Sequence, residues 1–536
     1  MKKLFFFILA VATINLSTYQ PINCLYAESF KILGSRPLGM GGAFVAVAED
    51  TLAQYWNPAG LARQKLFDLQ APINVGAKLT GGILKEAKEV TDLAEKFNEL
   101  KNKQANNQSL DQQGILNFYK TLKNINDLNK PGSGALIELP ASLSIRIGRT
   151  AWQLNSFTEV GIIPSVDLQR MGLGAISAGG GAISLNSPNL NSAPSFRGIT
   201  FDTTTLQGVS TTDPSSDLLG ARNDLVNIIN ELNTKLGVTI GTGTVNIANA
   251  LINLAKQQGY NNDQIINMTN EIKQYSTEIA NLLTGGGSFS QNDTKLTLRG
   301  ASILEISAAY GQPLPFLFKD LLAGVNFKVM RGYIGFNQLS ILQQGEKAEL
   351  DKMLQDYTKY AKESYNFGID LGLMLDKVRQ WRTRIGILAR NINRPNFDQP
   401  QAAINAGEDS KYYVDPQVRA GIAFYPLRGF LGWILAADYD LTKNDTLVKG
   451  YKSQLLSLGT EINLGGRKWF NVAVRAGAMK NLEQEKEITY TGGLGINFLH
   501  FQFDLAGAMS AEKTEIEPGK EFPSNVQVSG TLTINF

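Results

Sequence analysis

Few side chains in this 536-residue sequence could do covalent or metal chemistry. The only His is His500 and the only Cys is Cys24. A Cys/His zinc site, a Cys-His nucleophile pair, a c-type haem attachment and an internal disulfide therefore all lack their parts. A Ser-His-Asp arrangement would have to use His500, which sits in Phe498-Leu499-His500-Phe501, a run that reads as a tight turn. The expectation is no enzyme and no cofactor. What remains is a set of single charges set among small polar residues: Asp370, Arg419, Asp438, Glu461, Arg475 and Asp504. Their mixed signs suit mutual pairing in a confined space, whereas a site for a substrate carboxylate would show a surplus of Arg or Lys. Overall, 51 Lys+Arg stand against 48 Asp+Glu, with neither sign in a long block, so no nucleic-acid partner is expected.

These charges are positioned by segments with a strict period of two. Tyr365, Phe367, Ile369, Leu371, Leu373 and Leu375 alternate with Asn366, Gly368, Asp370, Gly372, Met374 and Asp376. The pattern recurs around Arg419, Asp438, Glu461, Arg475 and Asp504, and in the last strand, where Val526, Val528, Leu532 and Ile534 lead to Phe536. A soluble sandwich would show Lys and Glu on its polar face. Here that face is mostly Gly, Ser, Thr and Asn, as in the interior of a barrel whose outside meets lipid. Candidate strands fall at 66–76, 139–148, 151–163, 296–310, 321–333, 364–376, 381–393, 416–425, 431–442, 453–464, 469–480, 488–498, 500–510 and 525–536. The links alternate short and long, as periplasmic turns and outer loops do. The fold predicted is all-β: an antiparallel transmembrane barrel of about fourteen strands over residues 66–536, with both chain ends periplasmic and Phe536 as its C-terminal barrel signal.

Three long links, 77–138, 164–295 and 334–363, carry helical stripes. They include Ile83/Ala87/Val90/Ala94/Phe97, Leu225/Ile228/Ile229/Leu232, Ile247/Leu251/Leu254, Ile265/Met268/Ile272 and Leu350/Met353/Leu354/Tyr357. Such short helices are marginal alone and are expected to pack on one another or over the mouth. At the other end of the chain, Lys2 and Lys3 precede an apolar run, and Ala27 is a small residue at which a leader could be cut. Residues 1–27 therefore read as a signal peptide, and the destination as the outer membrane of a Gram-negative-type bacterium.

The most specific stretch is Leu38-Gly39-Met40-Gly41-Gly42-Ala43-Phe44-Val45-Ala46-Val47-Ala48-Glu49-Asp50, followed by the turn Asn57-Pro58-Ala59. Glycines let backbone approach backbone, and Asn57 can bond its own chain ahead of the fixed φ of Pro58. Residues 28–65 are predicted to form a plug in the lumen, with Gly39, Met40, Gly41, Gly42, Asn57, Pro58 and Ala59 as its key positions. This stretch resembles the N-terminal hatch of the FadL-like superfamily of outer-membrane proteins, which includes long-chain fatty-acid transporters, the PorV-type secretion proteins and the TraF-like plasmid-transfer branch. Further echoes are Leu435-Ala436-Ala437-Asp438-Tyr439-Asp440 and Gly492-Gly493-Leu494-Gly495. The resemblance implies a plugged fourteen-stranded barrel that binds or passes hydrophobic ligands such as long-chain fatty acids. The alternative within the group is a non-transporting role with a secretion or conjugation partner protein. Outer-membrane lipid and the barrel-assembly machinery are the remaining expected partners.

Overall fold

The computed structural model describes residues 29–63, 65–81, 131–167, 195–196, 199–200, 209–236, 243–270, 272–273, 293–340, 360–465, 469–517 and 520–536. Fourteen of the described strands close into one barrel, each paired with its neighbours in chain order and the last with the first. They are β1 (Lys65–Thr80), β2 (Gly134–Gly148), β3 (Thr150–Ser165), β4 (Lys295–Pro313), β5 (Leu321–Ser340), β6 (Lys362–Lys377) and β7 (Thr383–Arg390). The circle continues with β8 (Gln417–Leu427), β9 (Leu431–Asp440), β10 (Leu455–Leu464), β11 (Phe470–Asn481), β12 (Ile488–Phe498), β13 (Phe501–Ser510) and β14 (Asn525–Asn535). Every pairing is antiparallel, including the closing one, in which Asp68 faces Asn535 and Lys78 faces Asn525.

Burial runs opposite to that of a soluble protein. Outward positions such as Ile73, Ile306, Val329, Phe503 and Leu505 are more than half exposed, whereas inward Asn74, Glu305, Lys328, Asp504 and Ser529 are buried. A face of this kind is stable only against hydrocarbon, so the alternation is that of a transmembrane barrel. The short-turn end is ringed by exposed Phe316, Trp381, Phe430, Trp469 and Phe536, amphipathic or aromatic groups suited to the interface.

The strands nearest the N-terminus are longer than their alternation suggests. β1 continues to Thr80, β2 begins at Gly134 and β5 runs to Ser340, so the long links are shorter than the stretches 77–138 and 334–363 read from sequence. These outer strand ends carry mixed polar and apolar residues above the lipid belt, where no period of two is imposed. In the 166–294 link, α3 (Leu219–Leu236) and α4 (Thr244–Gln257) contain two of the expected stripes, and the chain is helical again over 262–270. They pack on one another through Leu218, Leu225, Ala248, Ile252 and Ile265. The stripes at 83–97 and 350–357 lie outside the described residues.

One seam of the wall is incompletely paired. Between Gln70↔Ser144 and Gly76↔Glu138, β1 and β2 share only Ile73↔Ala141, while β1 pairs continuously with β14 and β2 with β3. Pro72 and Pro140 both fall in this gap. Each lacks an N–H and removes a ladder bond, which is why proline is rare in a strand paired on both sides.

Candidate functional site

Residues 29–63 lie inside the barrel and are buried almost throughout. Their path follows from local sequence. Helix α1 (Ser35–Gly39) stops where Gly41 and Gly42 take φ values of 62° and 74°, and Gly42 N donates to Pro37 O at 2.9 Å. This left-handed turn rests directly on the wall: a Cβ on Gly41 would lie 2.6 Å from Leu458 O and 2.7 Å from Ala478 N. Helix α2 (Ala53–Trp56) ends at Asn57, whose Oδ1 accepts from Ala59 N at 3.1 Å and whose Nδ2 donates to Val45 O and Leu373 O. Trp56 donates to Leu33 O and Tyr55 to Lys31 O, tying the two ends of the segment together.

The segment is anchored to the wall in many directions. Lys31 meets Glu138 at 2.7 Å and Glu159. Gly34 N donates to Asn74, and Ser35 bonds Ser529 and Thr531. Arg36 forms a two-pronged pair with Glu461 at 2.7 and 2.9 Å. The N–H groups of Phe44 and Val45 both donate to Asp438 Oδ2, at 2.7 and 2.8 Å. Glu49 meets Arg384, Gln54 bonds Ser307 and Asn326, and Arg63 meets Asp376. Buried charges are tolerable here because each finds an opposite charge or several donors, and removing one partner strands the other.

All six charges singled out from sequence point inward and are buried. The structure brings together Glu461, Arg475 and Asp504, with Arg475 bridging the two acids at 2.7 and 2.6 Å. Arg419 pairs with Asp440, which leaves Asp438 to hold the N-terminal segment. Asp370 stands apart, 3.0 Å from Lys328. The sequence reading missed Lys31, Arg36, Lys328 and Arg384 as members of the network. Lys328 alternates with Asn326 and Met330 and carried a legible signal, whereas the anchors at 31 and 36 lie in non-periodic chain.

The interior is layered. At the long-loop end, Leu136, Ile303, Met330 and Ile334 of the wall pack against Phe397, Tyr412, Val414, Leu447 and Val448 from two loops folded over the mouth. The Phe397 ring fills the space a side chain would need at Gly332, where a Cβ would lie 2.3 Å from it. The second loop crosses to β2 and β3, with Val448 seated on Gly134 and Leu447 on Gly161. Beside it, Glu487 meets Lys78 at 2.8 Å and accepts from Tyr451 and Asn481. Burial pushes the Glu487 carboxyl up, but the Lys78 charge and these donors outweigh it and hold it below the ordinary range. The first described residue, Ser29, bonds Glu138 in this outer half. The described segment therefore descends through the lumen from the long-loop end before β1, and the chain end itself lies outside the described residues. At the short-turn end lies a cavity of about 640 Å³ of mixed lining, bounded by Arg36, Glu461, Arg475 and Asp504 and by Phe67 and Trp469 among others. His500 sits at its rim, bonded to Asn535 O at 2.8 Å and stacked on Phe536.

The family model for the F plasmid transfer operon TraF protein matches residues 54–440. The chain belongs to this TraF family. The match falls on the TraF-like branch of the superfamily that the N-terminal motif resembles. No match was found among curated proteins. Among solved structures, this TraF-family chain is similar to the CymD monoaromatic hydrocarbon channel, at 11% identity, covering 95% of this chain and 99% of that one, with a TM-score of 0.40. It is also similar to the Ralstonia pickettii toluene transporter TbuX (11%, 95% and 99%, 0.39) and the P. putida toluene transporter TodX (9%, 94% and 98%, 0.40). At such scores the likeness says nothing of what this chain binds.

Proposed function

We propose that this TraF-family barrel sits in the outer membrane, binds a hydrophobic ligand at its long-loop mouth and passes it beside the N-terminal plug. The ligand class is a long-chain fatty acid or a similar apolar molecule. The observation that carries this is the apolar layer of Leu136, Ile303, Met330 and Ile334 at the long-loop end, a cluster separate from the apolar core that the plug forms below it and closed by loop residues Phe397, Leu447 and Val448. An apolar ligand needs a dry chamber that loop side chains can vacate, and this layer, closed by loop residues and not by the plug, offers one. The β1–β2 seam supplies a sideways route, since Asn74 in that gap holds the plug at Ile32 and Gly34. The same reading includes export by the leader 1–27 and insertion by the barrel-assembly machinery through Phe536. No side chain is asked to do bond-making chemistry on the ligand.

Replacing the Ser35–Ser529 hydroxyl pair, 3.0 Å apart, by Ser35→Cys and Ser529→Cys locks the plug to β14. Apolar molecules should be extractable from the purified protein, and uptake should stop when the lock is oxidised and return on reduction. A second reading has its own support. The plug is held on most sides by buried polar bonds, and the family's description concerns plasmid transfer. If the plug never moves and the loops grip another protein, the lock has no effect and the extract holds no apolar ligand.

A further inference from the structure

One buried cluster is left over after the plug and the mouth are accounted for. Lys328 of β5 is fully buried, and its Nζ lies 2.5 Å from the side-chain oxygen of Asn391, the residue that follows β7. Two carboxylates attend the amine: Asp370 of β6 at 3.0 Å and Glu305 of β4 at 3.4 Å. Asp370 also accepts from the Asn391 backbone N–H at 2.9 Å, so it grips both partners. Asn391 is held in the left-handed region, at φ 53°. Arg390 faces both acids, at 3.8 and 4.0 Å, and its guanidinium lies over the rings of Tyr55, Phe30 and Phe157. The amine, the amide and the acids thus sit in a water-poor pocket with balanced charge: two cations and two carboxylates.

We propose that Lys328 and Asn391 are a self-modification site that forms an intramolecular isopeptide bond. The requirements for amide exchange are an amine in contact with the amide, an acid to take and return protons, and exclusion of water that would hydrolyse the amide instead. The first two are met by the distances above, and the third by burial. Out of water, passing one proton from Lys328 to Asp370 along their ion pair leaves two neutral groups, while Glu305 remains opposite Arg390. The free amine pair attacks Cγ of Asn391 and a C–N bond forms. The Asp370 carboxyl donates its proton to the amide oxygen as charge develops there. A proton from the attacking nitrogen passes through the carboxylate to the departing nitrogen; the original C–N bond breaks, ammonia leaves, and the hydroxyl proton returns to Asp370 as the carbonyl re-forms. Nothing is oxidised or reduced, and the acid is regenerated. The product staples β5 to the end of β7 across β6, independently of what the mouth binds.

The test is peptide mass spectrometry on the wild-type protein extracted from membranes in detergent. The expected result is a branched peptide joining the Lys328 and Asn391 fragments, lighter than their sum by one ammonia, in most molecules. Asp370→Asn, checked for the native heat-modifiable gel mobility, should lose the branch. Unlinked Lys328 and intact Asn391 in the wild type would overturn the proposal. So would ammonia loss confined to Asn391 with a free Lys328, which is a local succinimide. A branch that persists undiminished in folded Asp370→Asn overturns the assignment of the proton carrier.

Discussion

Asp438→Ala is the sharpest probe of how the plug is held. In the native chain one carboxylate oxygen accepts from two successive backbone N–H groups, Phe44 and Val45, at 2.7 and 2.8 Å, in a fully buried setting. Bonds to a charged acceptor contribute about 1.5–3 kcal/mol each, and the stranded donors cannot reach water without moving. Removing the carboxylate therefore weakens the attachment of this stretch by about 3–6 kcal/mol, enough to raise its open population by two to four orders of magnitude. Arg419 keeps Asp440, so no cation is stranded and the barrel ladder is untouched. Asp438→Asn leaves a neutral acceptor and should lose roughly half as much. Hydrogen exchange over residues 43–48, read by mass spectrometry, should accelerate in the order Asn then Ala, and conductance in planar bilayers should rise in step. Gel mobility before heating should remain that of a folded barrel. Unchanged exchange and unchanged conductance in folded Asp438→Ala would refute the view that this carboxylate clamps the plug.

Gly41→Ala should loosen the plug far more than Gly148→Ala. Both residues have φ near 60°, which costs a substituted residue about 1–2 kcal/mol, but Gly148 has open space around it while Gly41 faces wall backbone at 2.6–2.9 Å. Limited proteolysis of the N-terminal segment in the two variants reads the difference, and equal susceptibility would show that contact with the wall is not what seats it. For the mouth loop, the sign follows from Glu487, whose carboxyl is held below the usual 4.5. The opened state binds more protons than the closed one as pH falls through this region, so closure is fully stable above about 4.5 and weakens below it. Exchange at 446–451 should be flat with pH in the neutral range and accelerate in acid after correction for intrinsic rates, and Glu487→Gln should remove that acid dependence.

The barrel was legible because lipid imposes a period of two on every strand it touches, and one polar residue in the right phase, such as Asp370 or Arg475, fixes which face is inside. The same physics explains the errors. Above the belt the constraint lapses, and the outer ends of β1, β2 and β5 lost their signal. The direction of the plug was not legible because non-periodic chain gives glycine turns but no register: Gly41-Gly42 and Asn57-Pro58 mark where the segment bends, not where Ser29 ends up. Pairing within the lumen was legible only as charge balance. Asp440, not one of the six charges singled out, takes Arg419, and Asp438 serves two backbone donors that no side-chain pattern displays. A closed interior decides its pairs by who else needs an acceptor. In a barrel filled by its own chain, the backbone of the filling competes with the charges of the wall, and the two N–H groups at Phe44 and Val45 won.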